Sequence, residues 1–226
     1  MPAGVGFDFD HTLGIDNKLE RIAFLRLLER VLAEGGRMLG ADFADEQRRI
    51  DELLAHQRAG DLSIEEAVRS YARDRGIAPT DGHVAYYRDA CMALVEEVVV
   101  PLPGARAMLS GLRERGIPVA ILTNGWSPLQ QAKAARVGFD GPVVVSARIG
   151  AQKPQPEAFA AMAEALGATL ANLWYVGDDP VADIAGSLGA GIGAAIWLDT
   201  EGRTYPSGTA PPTRSISGLA ELLAIL

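Results

Sequence analysis

From Ala105 onward, apolar runs of strand length alternate with helical segments, and this alternation narrows the available folds more than any other feature of the chain. "ARAMLSGLRERG", "PLQQAKAARVG", "QPEAFAAMAEALG" and "VADIAGSLGAG" read as helices; "IPVAIL", "PVVVS", "LWYVG" and "GAAIWL" read as strands between them. Strands that are apolar along nearly their whole length are buried on both faces. The pattern therefore predicts an α/β fold on a parallel sheet covered by helices on both sides. A Pro/Gly-rich stretch over residues 201–212 leads to a short terminal helix at "SGLAELLAIL".

One strand stands apart. "VGFDFD" alternates near the N-terminus, with Val5, Phe7 and Phe9 on one side and Gly6 and Asp8 on the other. About 100 residues separate it from the next strand, far more than one crossover helix needs, so the gap holds an insertion. The insertion reads as helical. Leu19, Ile22, Leu25, Leu28 and Leu32 recur at helical spacing after Asp16, a candidate N-cap. Ile50, Leu53 and Leu54 mark a second helix. Ser63 and Glu66 form a capping-box pattern at the start of a third, and Val84, Tyr87, Cys91, Leu94 and Val95 mark a fourth. "PLPGA", from Pro101, reads as the return to the sheet.

In open parallel sheets, ligands bind beyond the carboxyl ends of the strands. The first strand runs into Asp8, Asp10 and Thr12; "VAIL" runs into Thr123, Asn124 and Gly125; "WYV" runs into Gly177, Asp178 and Asp179, with Asp183 further on. Lys153 lies between them in "GAQKPQPEAF". Asp8 and Asp10 would share a face if the strand geometry persisted, and their repulsion would need a shared proton or a bound cation. The second acid cluster favours the cation, and all-oxygen ligands suit Mg²⁺. Three histidines, His11, His56 and His83, make a zinc site a poor fit. The parts match phosphoryl transfer: one carboxylate as nucleophile, the other as acid and base, with Mg²⁺ and Lys153 neutralising phosphoryl charge. The Thr123 hydroxyl and a backbone N–H near Asn124 or Gly125 could hold the phosphate. Asp179 could instead cap the helix that follows it.

Composition excludes some functions. A net charge of −8 over 226 residues repels a phosphate backbone, so a nucleic acid polymer is not expected as a partner. The single cysteine, Cys91, forbids an internal disulfide. No leader pattern and no apolar run of membrane-spanning length is evident, which predicts a cytoplasmic protein without a membrane partner.

"DFDHTL", "ILTNG", "KPQPEAF" and "VGDDPVADIAGSLGAG" resemble, in order, the four motifs of the haloacid dehalogenase superfamily. The resemblance covers nearly the whole chain. It implies a Rossmann-like core over residues 1–14 and 99–226, with a mobile helical cap inserted over residues 15–98. It also implies roles. Asp8 would attack phosphorus and become an aspartyl phosphate. Asp10 would protonate the leaving group and then activate water, and its backbone carbonyl would ligate Mg²⁺ together with Asp8 and Asp178. Thr123, Asn124 and Lys153 would hold the phosphate. Asp179 or Asp183 would support the site, with the spacing favouring Asp183. The dehalogenating branch lacks the second aspartate, so Asp10 points to phosphate chemistry. His11 departs from the glycine or asparagine-like residue commoner at its position. Gly-Asp-Asp in the fourth motif, with Trp197 on the last strand, is similar to the nucleotide and flavin mononucleotide phosphatases.

The expected activity is thus a Mg²⁺-dependent phosphatase acting on a small phosphorylated metabolite. A nucleotide, flavin mononucleotide, a sugar phosphate and phosphoglycolate are candidate substrates. A phosphomutase using the same intermediate and a non-catalytic phospho-signalling module are the alternatives.

Overall fold

A computed structural model describes residues 1–40 and 42–226. Among the described residues the chain opens with β1 (Gly4–Phe7) and β2 (Gly14–Ile15). It then runs through α1 (Leu19–Ala33), α2 (Phe43–Ala59), α3 (Ile64–Asp74) and α4 (Asp81–Val98), and returns in β3 (Val100–Pro101). Thereafter α5 (Ala105–Glu114), β4 (Val119–Thr123), α6 (Leu129–Arg136), β5 (Val143–Val145), α7 (Ser146–Ile149), α8 (Pro156–Ala165) and β6 (Leu173–Gly177) follow. A π-helical turn over Pro180–Ala185 continues into α9 (Gly186–Ala190), and β7 (Ala194–Leu198), β8 (Arg214–Ile216) and α10 (Ala220–Ile225) complete the chain. The residues divide into two compact units, Met1–Ile15 with Val100–Leu226, and Asp16–Val99.

The first unit is an α/β fold on a six-stranded sheet in the order β5-β4-β1-β6-β7-β8, with every neighbouring pair parallel. The chain builds outward from β1 through β4 to β5, then crosses to the other side of β1 to lay down β6, β7 and β8. The order therefore reverses between β1 and β6, where ligand crevices open beyond the carboxyl ends of strands. Phe7, the last residue of β1, pairs with Ile121 on one side and Val176 on the other, so β1, β4 and β6 end within two residues of one another. On one face Ala120, Leu122, Leu173 and Tyr175 pack against Phe159 and Met162 of α8. The rings of Phe159 and Tyr175 meet edge to face at 5.2 Å, a favourable aromatic arrangement. β2 and β3 pair antiparallel, Gly14 with Pro101, where the chain leaves and re-enters this unit. Neither this ribbon nor β8 has the apolar run that makes a strand readable in sequence.

The second unit is helical. The capping box at α3 is formed: the Ser63 N–H donates to Glu66 at 2.8 Å and the Glu66 N–H donates to Ser63 Oγ at 3.2 Å. Two details differ from the sequence reading. Asp16 does not cap α1, because Asn17 and Lys18 adopt left-handed backbone (φ 48° and 63°) and the Asp16 carboxylate accepts from the Lys18 N–H in a local turn. The buried stripe of α1 coincides only in part with the one anticipated: Leu19 and Leu28 are buried, while Ile22 and Leu25 are half-buried. Ala23, Phe24, Leu27 and Val31 are buried, whereas Leu32 is exposed. Phe24 decides this, packing its ring 5.0 Å from Tyr71 and 4.6 Å from Tyr87. On a helix with apolar residues nearly all round, such a tertiary anchor selects the face.

Candidate active site

Three strand ends bring the polar groups together in the first unit. Asp8 follows β1, Thr123 ends β4 and Asp178 follows β6. The Asp8 N–H still donates to the Val176 carbonyl at 2.9 Å, so the ladder holds the nucleophile candidate in place. Lys153 comes from the loop between α7 and α8, and its Nζ donates to Asp8 Oδ1 at 2.5 Å and to Asp183 Oδ1 at 2.7 Å. That loop is clamped to the end of β4. The Lys153 N–H donates to the Asn124 side-chain carbonyl at 2.9 Å, and the Asn124 amide donates back to the Lys153 carbonyl at 3.1 Å. The Gly125 N–H donates to Ser146 Oγ at 3.0 Å, tying the same turn to α7.

Asp183 is the most deeply set of the acids, 1% exposed. It accepts from Lys153, from the Tyr175 hydroxyl at 3.4 Å and from the Asp179 N–H at 3.0 Å. Its side chain lies directly over Gly177, where an added Cβ would collide with three of its atoms. Asp179 faces elsewhere: its carboxylate accepts from the N–H groups of Val181 and Ala182, both at 2.7 Å, capping the π-helical turn. Of the two candidates for a supporting role, Asp183 therefore lies among the clustered acids and Asp179 organises the turn that delivers it. Thr123 is buried, with its hydroxyl 3.4 Å from the Asn124 carbonyl.

Asp8, Asp178 and Asp183 each place an oxygen within 4.8 Å of the others. Such crowding has an electrostatic signature. Burial, with Asp183 and Asp10 nearby, raises the Asp8 carboxyl well above its usual range although Lys153 opposes the shift. Burial and Asp183 push Asp178 up to about 6. Burial disfavours the Lys153 charge, but Asp183 and Asp8 outweigh it and hold its pKa well above the ordinary lysine value. One ammonium does not neutralise three close carboxylates. An all-oxygen donor set with surplus negative charge fits a hard divalent cation.

Asp10 lies outside this cluster. Regular strand pairing ends before it, since the N–H groups of Thr12, Leu13 and Gly14 all turn back to the Phe9 carbonyl and His11 is left-handed at φ 59°. Its two oxygens accept instead from Lys133 Nζ of α6, at 2.7 and 2.9 Å. Lys133 is not among the residues expected from the motifs, although the sequence carries a signal for it. Leu129, Lys133 and Val137 recur every four residues on one helix face, so a lysine occupies a buried stripe. Trp197 and Arg203 also meet Asp178, contacts that no local sequence pattern announces. The Trp197 indole N–H donates to the Asp178 carbonyl at 3.0 Å, and Arg203 Nη2 lies 3.6 Å from its carboxylate.

A family model described as haloacid dehalogenase-like hydrolase matches residues 3–191. Pyrimidine 5'-nucleotidase YjjG of Escherichia coli (strain K12) is 36% identical over 143 residues, 61% of this chain and 62% of that protein, so the match spans less than two thirds of the relative's length. Glyceraldehyde 3-phosphate phosphatase of Methanopyrus kandleri is 31% identical over 202 residues, covering 85% of this chain and 82% of that one. Among solved structures, the magnesium-bound HAD-hydrolase YfnB from Bacillus subtilis superimposes with a TM-score of 0.71 at 24% identity, covering 100% of this chain and 98% of its own, a likeness of fold. Among the described residues, no helix is long and apolar enough to cross a membrane.

Proposed function

Because this chain belongs to the haloacid dehalogenase-like hydrolases, we propose that it is a Mg²⁺-dependent phosphatase of small phosphomonoesters that works through an aspartyl phosphate on Asp8. The observation that carries the reading is the division of the two N-terminal aspartates: Asp8 sits in the acid cluster against Lys153, while Asp10 is held outside it by Lys133. A nucleophile and a separate acid–base are what two-step phosphoryl transfer requires.

In the first step an Asp8 carboxylate oxygen attacks phosphorus, the bond from phosphorus to the leaving oxygen breaks, and Asp10, entering the step protonated, gives its proton to that oxygen. In the second, Asp10 takes a proton from water, the water oxygen attacks phosphorus, and the Asp8 carboxylate is released. Lys153 and the Thr123 hydroxyl hold the phosphoryl oxygens, aided by the backbone at Asn124, whose side chain fixes the Lys153 loop. Asp8 and Asp178, with the Asp10 carbonyl, would hold the Mg²⁺, and Asp183 supports them. When bound, the ion neutralises charge that Lys153 alone leaves uncompensated. The first unit is the catalytic core, and we assign choice of the substrate's organic part to the helical unit, as a cap. The nucleotidase and phosphatase names of the aligned relatives support a small phosphorylated metabolite as substrate.

The test is phosphate release from p-nitrophenyl phosphate, with Mg²⁺ and with EDTA, by wild type and Asp8→Asn. Turnover should vanish with EDTA and fall by at least about 1,000-fold in the variant, as expected on removing a nucleophile. Turnover by a folded Asp8→Asn protein at the wild-type rate would refute the mechanism.

A further inference from the structure

We infer that Lys133 is a positioning residue for Asp10, anchoring the acid–base carboxylate apart from the cation-binding acids; this rests on the phosphatase reading above. The two members of the pair are unequal. The Lys133 side chain is 1% exposed, whereas that of Asp10 is 37% exposed. Lysine is almost never fully buried unless paired, and this one donates to both oxygens of the Asp10 carboxylate. Its Nζ also lies 5.0 Å from the centre of the Phe9 ring, the residue between the two aspartates. The lysine is thus the fixed partner and the aspartate the accessible one.

The arrangement also answers a problem posed by the chain itself. Asp8 and Asp10 are two residues apart, and a carboxylate free to turn would be drawn to any cation held by Asp8, Asp178 and Asp183. A second buried ammonium prevents this. Lys153 is engaged by Asp8 and Asp183, and Lys133 by Asp10, so the two N-terminal aspartates face different ammonium groups. Asp10 is then available to the leaving oxygen and to water.

A residue that acts only through Asp10 should lose its effect once Asp10 is gone. Lys133→Met, Asp10→Asn and the double variant would be compared on a phosphomonoester that the wild type turns over. We expect Lys133→Met to lower kcat by about 10- to 100-fold, a fraction of the roughly 100- to 10,000-fold that general acid–base catalysis contributes, with KM changed less than about 3-fold. The double variant should match Asp10→Asn within about 3-fold. Lys133→Arg, which keeps N–H donors and charge, should recover part of the rate. A leaving-group comparison adds a readout that general loosening of the fold would not move. For Lys133→Met, kcat/KM should fall more with an alkyl phosphate than with p-nitrophenyl phosphate, whose leaving group needs little protonation. If Lys133→Met does not fold, Lys133→Gln takes its place in the cycle.

Multiplicative losses in the double variant, or a rise in KM at unchanged kcat, would overturn the inference while leaving the phosphatase reading intact. A folded wild type with no metal-dependent turnover would instead overturn the phosphatase reading, and the role of Lys133 would fall with it.

Discussion

The smallest side chain near the site carries much of its geometry. Gly177 ends β6, and the Asp183 side chain occupies the space a Cβ would need. Asp183 in turn holds Lys153, which holds Asp8. Gly177→Ala should therefore push the Asp183 carboxylate off Lys153 and release the lysine from its place. We expect a loss of about 1–3 kcal/mol in stability, typical of overpacking, and a loss of phosphatase activity of at least about 10-fold. Denaturant unfolding and steady-state kinetics check the two effects, and an alanine variant as active as wild type would show that Asp183 tolerates displacement. The same chain of contacts explains why Asp179 and Asp183, four residues apart in one acidic motif, do different work. One satisfies the N–H groups at the start of a helical turn, and the other points back beneath it to the lysine.

At the scale of elements, the helical unit joins α2 to α3 with a buried ion pair. Glu46 accepts from Arg75, and both side chains are fully buried. Glu46 also accepts from the Leu39 N–H at 2.5 Å and the Tyr71 hydroxyl at 3.3 Å. Arg75 donates to the Tyr71 carbonyl at 2.7 Å and packs its guanidinium over the Tyr71 ring. Burial lowers its pKa to about 10, which leaves it charged at neutral pH. Glu46→Gln would strand that charge away from water. It should cost about 3–5 kcal/mol, whereas replacing both residues by methionine should be far less damaging. Urea denaturation of the two variants distinguishes the cases, and equal destabilisation would mean that packing rather than charge is what the pair supplies. By contrast Arg21 with Asp51 and Arg26 with Glu97 are partly exposed pairs, each worth at most about 1 kcal/mol.

For the molecule as a whole, the acid cluster ties stability to pH and, on the function proposed above, to metal. The Asp178 carboxyl rises from 3.8 to about 6 on folding, and Asp8 rises too, chiefly through burial. The folded protein then binds more protons than the unfolded chain between those values. Its advantage is complete below the unfolded pKa and is lost as pH rises through the folded one. Metal-free protein should therefore lose stability as pH climbs from about 4 through 6 and beyond, where the carboxylates ionise against one another. A bound divalent cation stabilises the ionised, folded form, so added Mg²⁺ should raise Tm more near pH 8 than near about pH 5. Thermal unfolding with Mg²⁺ and with EDTA at both values is the check. A metal effect independent of pH would place the ion away from these carboxylates.

What the sequence determines by itself is local or periodic. Apolar runs alternating with helices specify a parallel α/β sheet, because burial on both faces leaves no other place for such strands. Ser63 with Glu66 specifies a helix start, since both partners lie within one turn. The acids are legible at the strand ends because strand direction and pattern place them at one rim of the sheet. Only the tertiary structure decides which of those groups meet. Asp8 and Lys153 are 145 residues apart, and Asp10 and Lys133 are 123 apart. Those pairings follow from strand order and from how each loop turns. The left-handed residues before α1, the face of α1 chosen by Phe24 and the short strand β8 belong with them. Periodicity reports which side of an element is apolar; it holds no information about what lies across from that side once the chain has folded back on itself.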